Sequence, residues 1–217
     1  MKKPFDLHAD YQPESFVFYD MTAVDEIIAR YPKGRERSAV MPLLDLAQRQ
    51  VAEDGVKLVP PVGGWIPRAA MDEVARILNM PAIKVYEVAT FYSMYNLAPV
   101  GKFLIQFCGT TPCWLRGAHQ IIEAAEKHLG IHVGESTQDG LFSLMEVECL
   151  GACVNAPMIQ INDHYYEDLT PERMVEMLKE LADGGELPKG SQIGRKCSMA
   201  CSGPTTLTDQ AKKCGVV

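Results

Sequence analysis

The chain has 217 residues, of which 47% are hydrophobic and 23% charged, and its formal net charge at pH 7 is −7. This composition is ordinary for a globular protein with one large or two small domains. The acidic balance, without a basic run among aromatic residues, argues against a nucleic-acid-binding surface. No apolar run approaches the roughly 18–20 residues of a membrane span. We therefore expect no direct membrane insertion.

The N-terminal residues and the cysteine content favour a reducing compartment. The first ten residues have neither the apolar core of a signal peptide nor the Arg-rich, acid-poor character of a transit peptide. Seven cysteines are an odd number, and the chain is too long for a disulfide-stapled miniprotein. We expect a cytoplasmic protein whose cysteines are free thiols or metal ligands.

Helical periodicity dominates the first half of the chain. Residues 1–19 are mixed in character and predict an arm. The elements predicted after it are a helix from Met21 that stops at Tyr31–Gly34, a helix that Ser38 can cap, a loop or short hairpin over 51–64, a helix over 68–79 and a short helix opened by Pro81. Their mostly short connections predict a small antiparallel helical bundle over 20–96.

The pattern changes to β-α-β-β-β-α after about residue 96. The predicted elements are a strand over 102–107, a helix over 113–129, a strand over 141–147, a hairpin of 158–161 and 164–166 around Asn162-Asp163, and a helix capped by Thr170 and ended by Gly184-Gly185. Residues 184–217 are rich in Gly, Ser and Pro and predict an extended tail. The fold class is α+β, with a helical bundle followed by an α/β domain over 97–183.

Two pairs of cysteines follow the first two predicted strands. Cys108 and Cys113 form a C-x4-C, and Cys149 and Cys153 form a C-x3-C. Four thiolates on two loops at adjacent strand ends are what an all-cysteine iron–sulfur cluster needs. Glycine in both loops lets backbone N–H groups approach such a cluster closely. The strand-end setting places both loops on one rim of the α/β domain.

The same thiols leave alternatives open. A zinc site usually uses C-x2-C knuckles, often with a histidine, so zinc fits these spacings less well. A thioredoxin-type dithiol requires C-x-x-C, which is absent here. The spacing favours an iron–sulfur cluster over zinc, and free core cysteines are the third interpretation. The five histidines are scattered away from ligand spacing to these cysteines.

Several stretches resemble one protein family. They are Cys108–Arg116, Val147–Met158, Leu44–Gln50, Val85–Tyr92 and Ile161–Asp168. The chain resembles, over roughly residues 16–183, the family of 24-kDa [2Fe–2S] subunits of respiratory complex I, the bacterial NADH–quinone oxidoreductase included. The resemblance implies a thioredoxin-like domain with a mixed sheet, and one [2Fe–2S] cluster ligated by Cys108, Cys113, Cys149 and Cys153.

The resemblance also implies a function and partners. The family docks on the flavoprotein subunit that binds NADH and FMN, and its cluster exchanges one electron with the flavin. The chain would thus be an electron carrier within an oxidoreductase and translocase, without catalytic residues of its own. It has no G-x-G-x-x-G after a strand. In the respiratory chain such a subunit is peripheral on the inner face of the cytoplasmic membrane, or in the mitochondrial matrix if organellar.

Two rival functions remain. The first is the equivalent subunit of the diaphorase module in an NAD-linked hydrogenase or formate dehydrogenase. The second is a structural zinc protein that acts as a docking module.

The sequence also departs from the family pattern at two places. In the family, a Gln-Arg-Gln segment is followed almost directly by Gly-Trp. Here residues 51–63 lie between that segment and Gly64-Trp65, and this loop makes an extra contact or protrudes. Cys197 and Cys201 form another C-x3-C and, with Cys214, are spare tail thiols or a second metal site.

Three side chains near the cysteine pairs have open roles. Trp114 follows a cysteine directly and either shields the cluster from water or fills the core. Glu146 and Glu148 would oppose the addition of an electron to a nearby anionic cluster and so lower its potential.

Overall fold

The structure of the protein, a computed structural model, describes residues 12–203 and 205–215. Most of the predicted arm, residues 1–11, lies outside the described residues. The chain forms two compact units. The first comprises the chain up to Leu104 together with Gly134–Ser143, and the second comprises Ile105–Val133 together with the chain from Leu144 onward.

Four α-helices of the described residues build the first unit. They are α1 (Met21–Ala29), α2 (Val40–Gly55), α3 (Arg68–Ile77) and α4 (Ala82–Phe91). Their apolar faces share one core, which includes the fully buried Leu43, Leu44 and Tyr95. The Asp20 side chain caps α1 by accepting a hydrogen bond from the N–H of Ala23. The four helices confirm the pattern predicted for this half.

The second helix differs from its prediction at both ends. Ser38 lies in a 3₁₀ turn over Glu36–Ala39, and no side chain caps α2. The helix continues past the predicted break because Ala52, Glu53 and Asp54 all tolerate helical geometry. It stops at Gly55, whose carbonyl accepts from Val62 N at 2.9 Å. A Cβ at Gly55 would lie 2.2 Å from Val62 O, so the close approach that closes this loop requires glycine.

The second unit holds most of a five-stranded mixed sheet. In chain order its elements are β1 (Phe103–Cys108), α5 (Thr111–Leu115), α6 (Ala118–Leu129), β2 (Phe142–Val147), β3 (Ile159–Ile161), β4 (His164–Glu167) and α7 (Pro171–Ala182), followed by β5 (Gly190–Ser191). The strand order is β2-β1-β3-β4-β5. β3 is antiparallel to β1 and β4, whereas β5 is parallel to β4. α6 packs against α7.

The helix predicted over 113–129 is two helices. Gly117 has φ +93°, a left-handed conformation that breaks the helical path between α5 and α6. Leu115, at the end of α5, is 69% exposed. Ile121 and Ala125, which lie on the regular α6, are buried.

The β3–β4 hairpin and the start of α7 have the form that the sequence predicted. Asn162-Asp163 is the two-residue turn of the β3–β4 hairpin, with Asn162 at φ +51°. Thr170 caps α7 by accepting from the N–H of Arg173, and Pro171 is the first helical residue. The predicted tail is not wholly extended: it contributes β5 to the sheet edge and a short helix α8 (Thr208–Lys213).

None of the helices among the described residues combines the length and the apolar character that crossing a bilayer requires.

Candidate metal centre

The first cysteine pair joins β1 to α5. Cys108 is the last residue of β1, and Cys113 lies in the short helix α5. Both thiols are buried, with 2% and 1% of the residue exposed, and they pack with Ala118, Ala156 and Met158. A strand end and a helix start carry this pair, and that local setting is the one the sequence predicted.

The second pair stands on the loop that follows β2. Cys149 is exposed and Cys153, which opens a 3₁₀ turn over Cys153–Asn155, is half-buried. Gly151, between them, has φ +91°, which brings the loop round on itself. The two Sγ atoms lie 3.5 Å apart. Two thiolates on one tetrahedral metal ion with bonds of about 2.3 Å lie about 3.8 Å apart, so this pair fits a shared ion.

Hydrogen bonds interlock the two loops around the sulfurs. Thr110 Oγ1 lies 3.4 Å from Cys108 Sγ in its own loop. Thr110 also lowers the pKa of Cys149 in the other loop, and the backbone N–H of Leu150 lowers the pKa of Cys108. Each loop thus stabilises negative charge on a sulfur of the other loop.

The thiol pKa values reflect these contacts. Burial raises the pKa of Cys113 to about 12, and Cys108 and Cys153 add to this through their charges. Burial also acts to raise the pKa of Cys108, but the donors from Thr110 and Leu150 outweigh it and lower that pKa. The pKa of Cys149 is lowered, chiefly by the backbone N–H of Gly151. The site therefore stabilises negative charge on sulfur at two of its four positions.

The fit to a two-metal cluster is favourable. A [2Fe–2S] cluster takes four thiolate ligands, two on each iron, and hydrogen bonds to the sulfurs support it. The two cysteine pairs and their neighbouring N–H and hydroxyl groups fit these requirements. Among the described residues, no group of three or more His, Cys, Asp or Glu side chains is arranged so that it could hold a metal ion.

The neighbouring side chains resolve some of the open roles. Trp114 is 60% exposed and does not fill the core. Glu146 lies against the first loop, because a Cβ built on Gly109 would be 2.2 Å from its Oε1. The sequence did not reveal that Thr110 influences Cys149, since the two residues lie on different loops.

The tail thiols are not part of this arrangement. Cys197, Cys201 and Cys214 are all exposed. Cys201 Sγ lies 2.6 Å from Nη2 of Arg195. The structure shows no group of metal ligands at these positions within residues 12–203 and 205–215.

Fold and site together define an iron–sulfur protein of the thioredoxin-like type. Residues 24–182 match the family of thioredoxin-like [2Fe–2S] ferredoxins, and the chain belongs to that family. Its cofactor is accordingly a [2Fe–2S] cluster.

The chain is 53% identical over 167 residues to the E subunit of the NADH-quinone oxidoreductase of Rickettsia bellii (strain RML369-C), covering 77% of this chain and 93% of that protein. It is 45% identical over 200 residues to the mitochondrial NADH dehydrogenase [ubiquinone] flavoprotein 2 of Dictyostelium discoideum, covering 92% of this chain and 76% of that protein.

A solved structure shares the fold. The crystal structure of an NAD⁺-reducing [NiFe]-hydrogenase in the air-oxidized state superposes with a TM-score of 0.54 at 16% identity. The superposition covers 67% of this chain but only 23% of that hydrogenase chain. At this identity the likeness concerns the fold alone.

Proposed function

We propose that this chain is the electron-carrying subunit of an NADH:quinone oxidoreductase. Its relatives at about half identity bear the names of such subunits. The observation that carries the proposal is that two cysteine loops, one with both thiols buried and one with Cys149 exposed and Cys153 half-buried, affect the pKa values of each other's thiols. A cluster held there supplies one-electron exchange, and this chain's residues hold, shield and orient it.

We assign the ligands as Cys108 and Cys113 on the inner side and Cys149 and Cys153 on the outer side. The inner pair is enclosed by apolar side chains, which restricts access of water from that side. The outer pair is open to solvent and to a partner. An electron has to pass between proteins over a short distance, so the outer pair is the side from which a partner would approach.

Exposed apolar side chains surround the outer pair and support a docking surface. Trp114 and Leu115 follow Cys113 and are 60% and 69% exposed, and Val154 follows Cys153 and is 66% exposed. α5 contacts the 3₁₀ turn that carries Val154. Exposed aromatic and aliphatic side chains of this kind are enriched at protein–protein interfaces. The proposed partner is the flavoprotein subunit that binds NADH and FMN, with other peripheral-arm subunits beside it.

The proposed organisation and location follow from the same function. The proposed domains are a helical domain over 20–96 and a cluster domain over 97–183, with Gly134–Ser143 belonging to the first compact unit. The assembled complex places the chain at the inner face of the cytoplasmic membrane, or on the matrix side in a mitochondrion, through its partners.

Cofactor analysis of the full chain tests the proposal. Protein purified anaerobically is expected to be reddish-brown, to hold about two iron and two sulfide per chain, and to give an EPR signal after reduction. A colourless, EPR-silent protein that contains zinc would refute it in favour of the structural zinc module. Copurification with hydrogenase or formate dehydrogenase subunits, in place of the membrane complex, would point to the diaphorase module.

A further inference from the structure

A segment of the tail lies across the turn that carries Cys153. We call residues 190–203 the tail strap. It begins with β5, where Gly190 and Ser191 pair with Tyr166 and Glu167 of β4. Gln192 N then donates to Glu167 O at 2.9 Å, which extends the pairing by one residue. The strap is therefore joined to the sheet edge before it reaches the turn.

The side chain of Arg195, in the strap, is largely buried, with 9% of it exposed. Its Nη2 donates to Asp168 Oδ1 at 2.6 Å, and that carboxylate is 5% exposed. Ser191 donates to the other oxygen of Asp168 at 2.7 Å. The positive charge of the guanidinium and the negative charge of Asp168 thus compensate each other in a region that excludes water.

The same guanidinium holds the ligand turn. Nη1 of Arg195 donates to the carbonyl of Val154 at 3.4 Å and to the carbonyl of Met199 at 3.3 Å. Asn155, the next residue of the turn, donates from Nδ2 to the carbonyl of Cys197 at 2.8 Å. The turn is therefore fixed to the strap at two consecutive residues.

Asp168 holds the turn from the sheet side. Its backbone N–H donates to the carbonyl of Asn155 at 2.8 Å. Cys153 is half-buried and Val154 is 66% exposed, so apolar packing contributes little to fixing this turn. Hydrogen bonds from Arg195, Asn155 and Asp168 take that role.

From this geometry we infer that Arg195 is a positioning residue for the metal site, and that the tail strap serves to keep the Cys153 thiol in place. This inference rests on the proposed function, in which Cys153 is a ligand. The planar guanidinium of Arg195 can reach a carboxylate and two carbonyls at once, which a lysine ammonium cannot do from one position. Groups that orient a metal ligand typically change metal retention by about 10- to 100-fold when they are removed.

The rival account is that Arg195 only stabilises the fold by pairing with Asp168. A double variant separates the two. In Arg195→Met/Asp168→Asn both charges are gone, so no buried charge is left unpaired. Asparagine also suits position 168, where φ is +56°. The double variant keeps a neutral pair of side chains but lacks the donor to Val154.

The experiment uses the full chain purified anaerobically with its cluster. Wild type, Arg195→Met/Asp168→Asn and Arg195→Lys are compared with Arg76→Met as the matched control, because Arg76, whose side chain is 69% exposed, forms an ion pair with Glu73 on α3. Two quantities are measured on each protein: the rate at which EDTA removes iron, followed by the loss of visible absorbance, and the urea midpoint of unfolding of the cluster-free chain.

We expect the double variant and Arg195→Lys to lose iron at least about tenfold faster than wild type and Arg76→Met, with unfolding midpoints near that of the control. Iron loss at the wild-type rate in the double variant would overturn the inference. So would faster loss that is matched by a lowered unfolding midpoint, since that result shows a role in fold stability alone. Wild-type protein without iron would overturn the proposed function itself, before any variant is compared.

Discussion

The Thr110 hydroxyl offers a sharp test of how the protein sets the reduction potential. Its Oγ1 lies 3.4 Å from Cys108 Sγ, and it lowers the pKa of Cys149 in the other loop. Thr110 stands at the N-cap of α5, but its side chain makes no capping hydrogen bond there. The change Thr110→Val keeps the shape of the side chain and removes only the hydroxyl, so it leaves the helix start intact.

The expected shift can be estimated from charge. A [2Fe–2S] cluster with four thiolates has a formal charge of about −2 when oxidised and about −3 when reduced. A hydrogen bond to a charged group contributes about 1.5–3 kcal/mol, and sulfur is a weak acceptor, so we use the lower value. If the bond strengthens in proportion to charge, reduction gains about 0.7 kcal/mol, which for one electron is about 30 mV. Thr110→Val should lower the potential by that amount.

The assay is a redox titration followed by EPR on the full chain. Thr110→Ser keeps the hydroxyl and should stay near the wild-type potential, and Thr111→Val changes the exposed neighbouring threonine as a second control. A potential that is unchanged or raised in Thr110→Val would refute the reasoning. An equal shift in Thr110→Ser would show that the methyl group, and not the hydroxyl, matters.

Three further predictions concern the ligands, the first unit and alkaline stability. Cys113→Ala should abolish the cluster, while Cys197→Ser should retain about two iron per chain by iron analysis, and the reverse result would refute the ligand assignment. Gly101→Ala should destabilise the chain by about 1–3 kcal/mol in urea unfolding, because its Cβ would lie 2.7 Å from the backbone of Phe142; an unchanged midpoint would contradict this close approach. Burial raises the pKa of Tyr95 to about 12, above the value of about 10 in the unfolded chain. The folded state therefore keeps the phenol proton at a pH where the unfolded chain has lost it, so the free energy of unfolding falls as the pH rises from about 10 to about 12. Tyr95→Phe should make the unfolding free energy less dependent on pH there, and an equally steep dependence would refute the explanation.

The sequence was most informative where structure depends on near neighbours. The Thr170–Pro171 helix start and the Asn162-Asp163 turn are set by residues within a few positions, and both have the predicted form. The cysteine spacing predicted two loops at strand ends for the same reason. Each of these features is encoded by local backbone preferences.

The sequence was least informative where contacts are long-range. The break at Gly117 was missed because a single glycine is tolerated inside a helical pattern, and only the packing of α5 beside the second loop requires it here. The pairing of Arg195 with Asp168 joins residues 27 positions apart. Nothing in the Gly- and Ser-rich tail marks Arg195 as different from an exposed arginine, so its role emerges only in three dimensions.

The unequal burial of the four thiols has a consequence for the protein in air. Oxygen and chelators reach Cys149 and Cys153 before the buried Cys108 and Cys113. Damage would thus begin on the face through which we propose that electrons pass. A docked partner that covers this face would both receive electrons and exclude oxidants, so the chain on its own should lose its iron sooner than the chain within its complex.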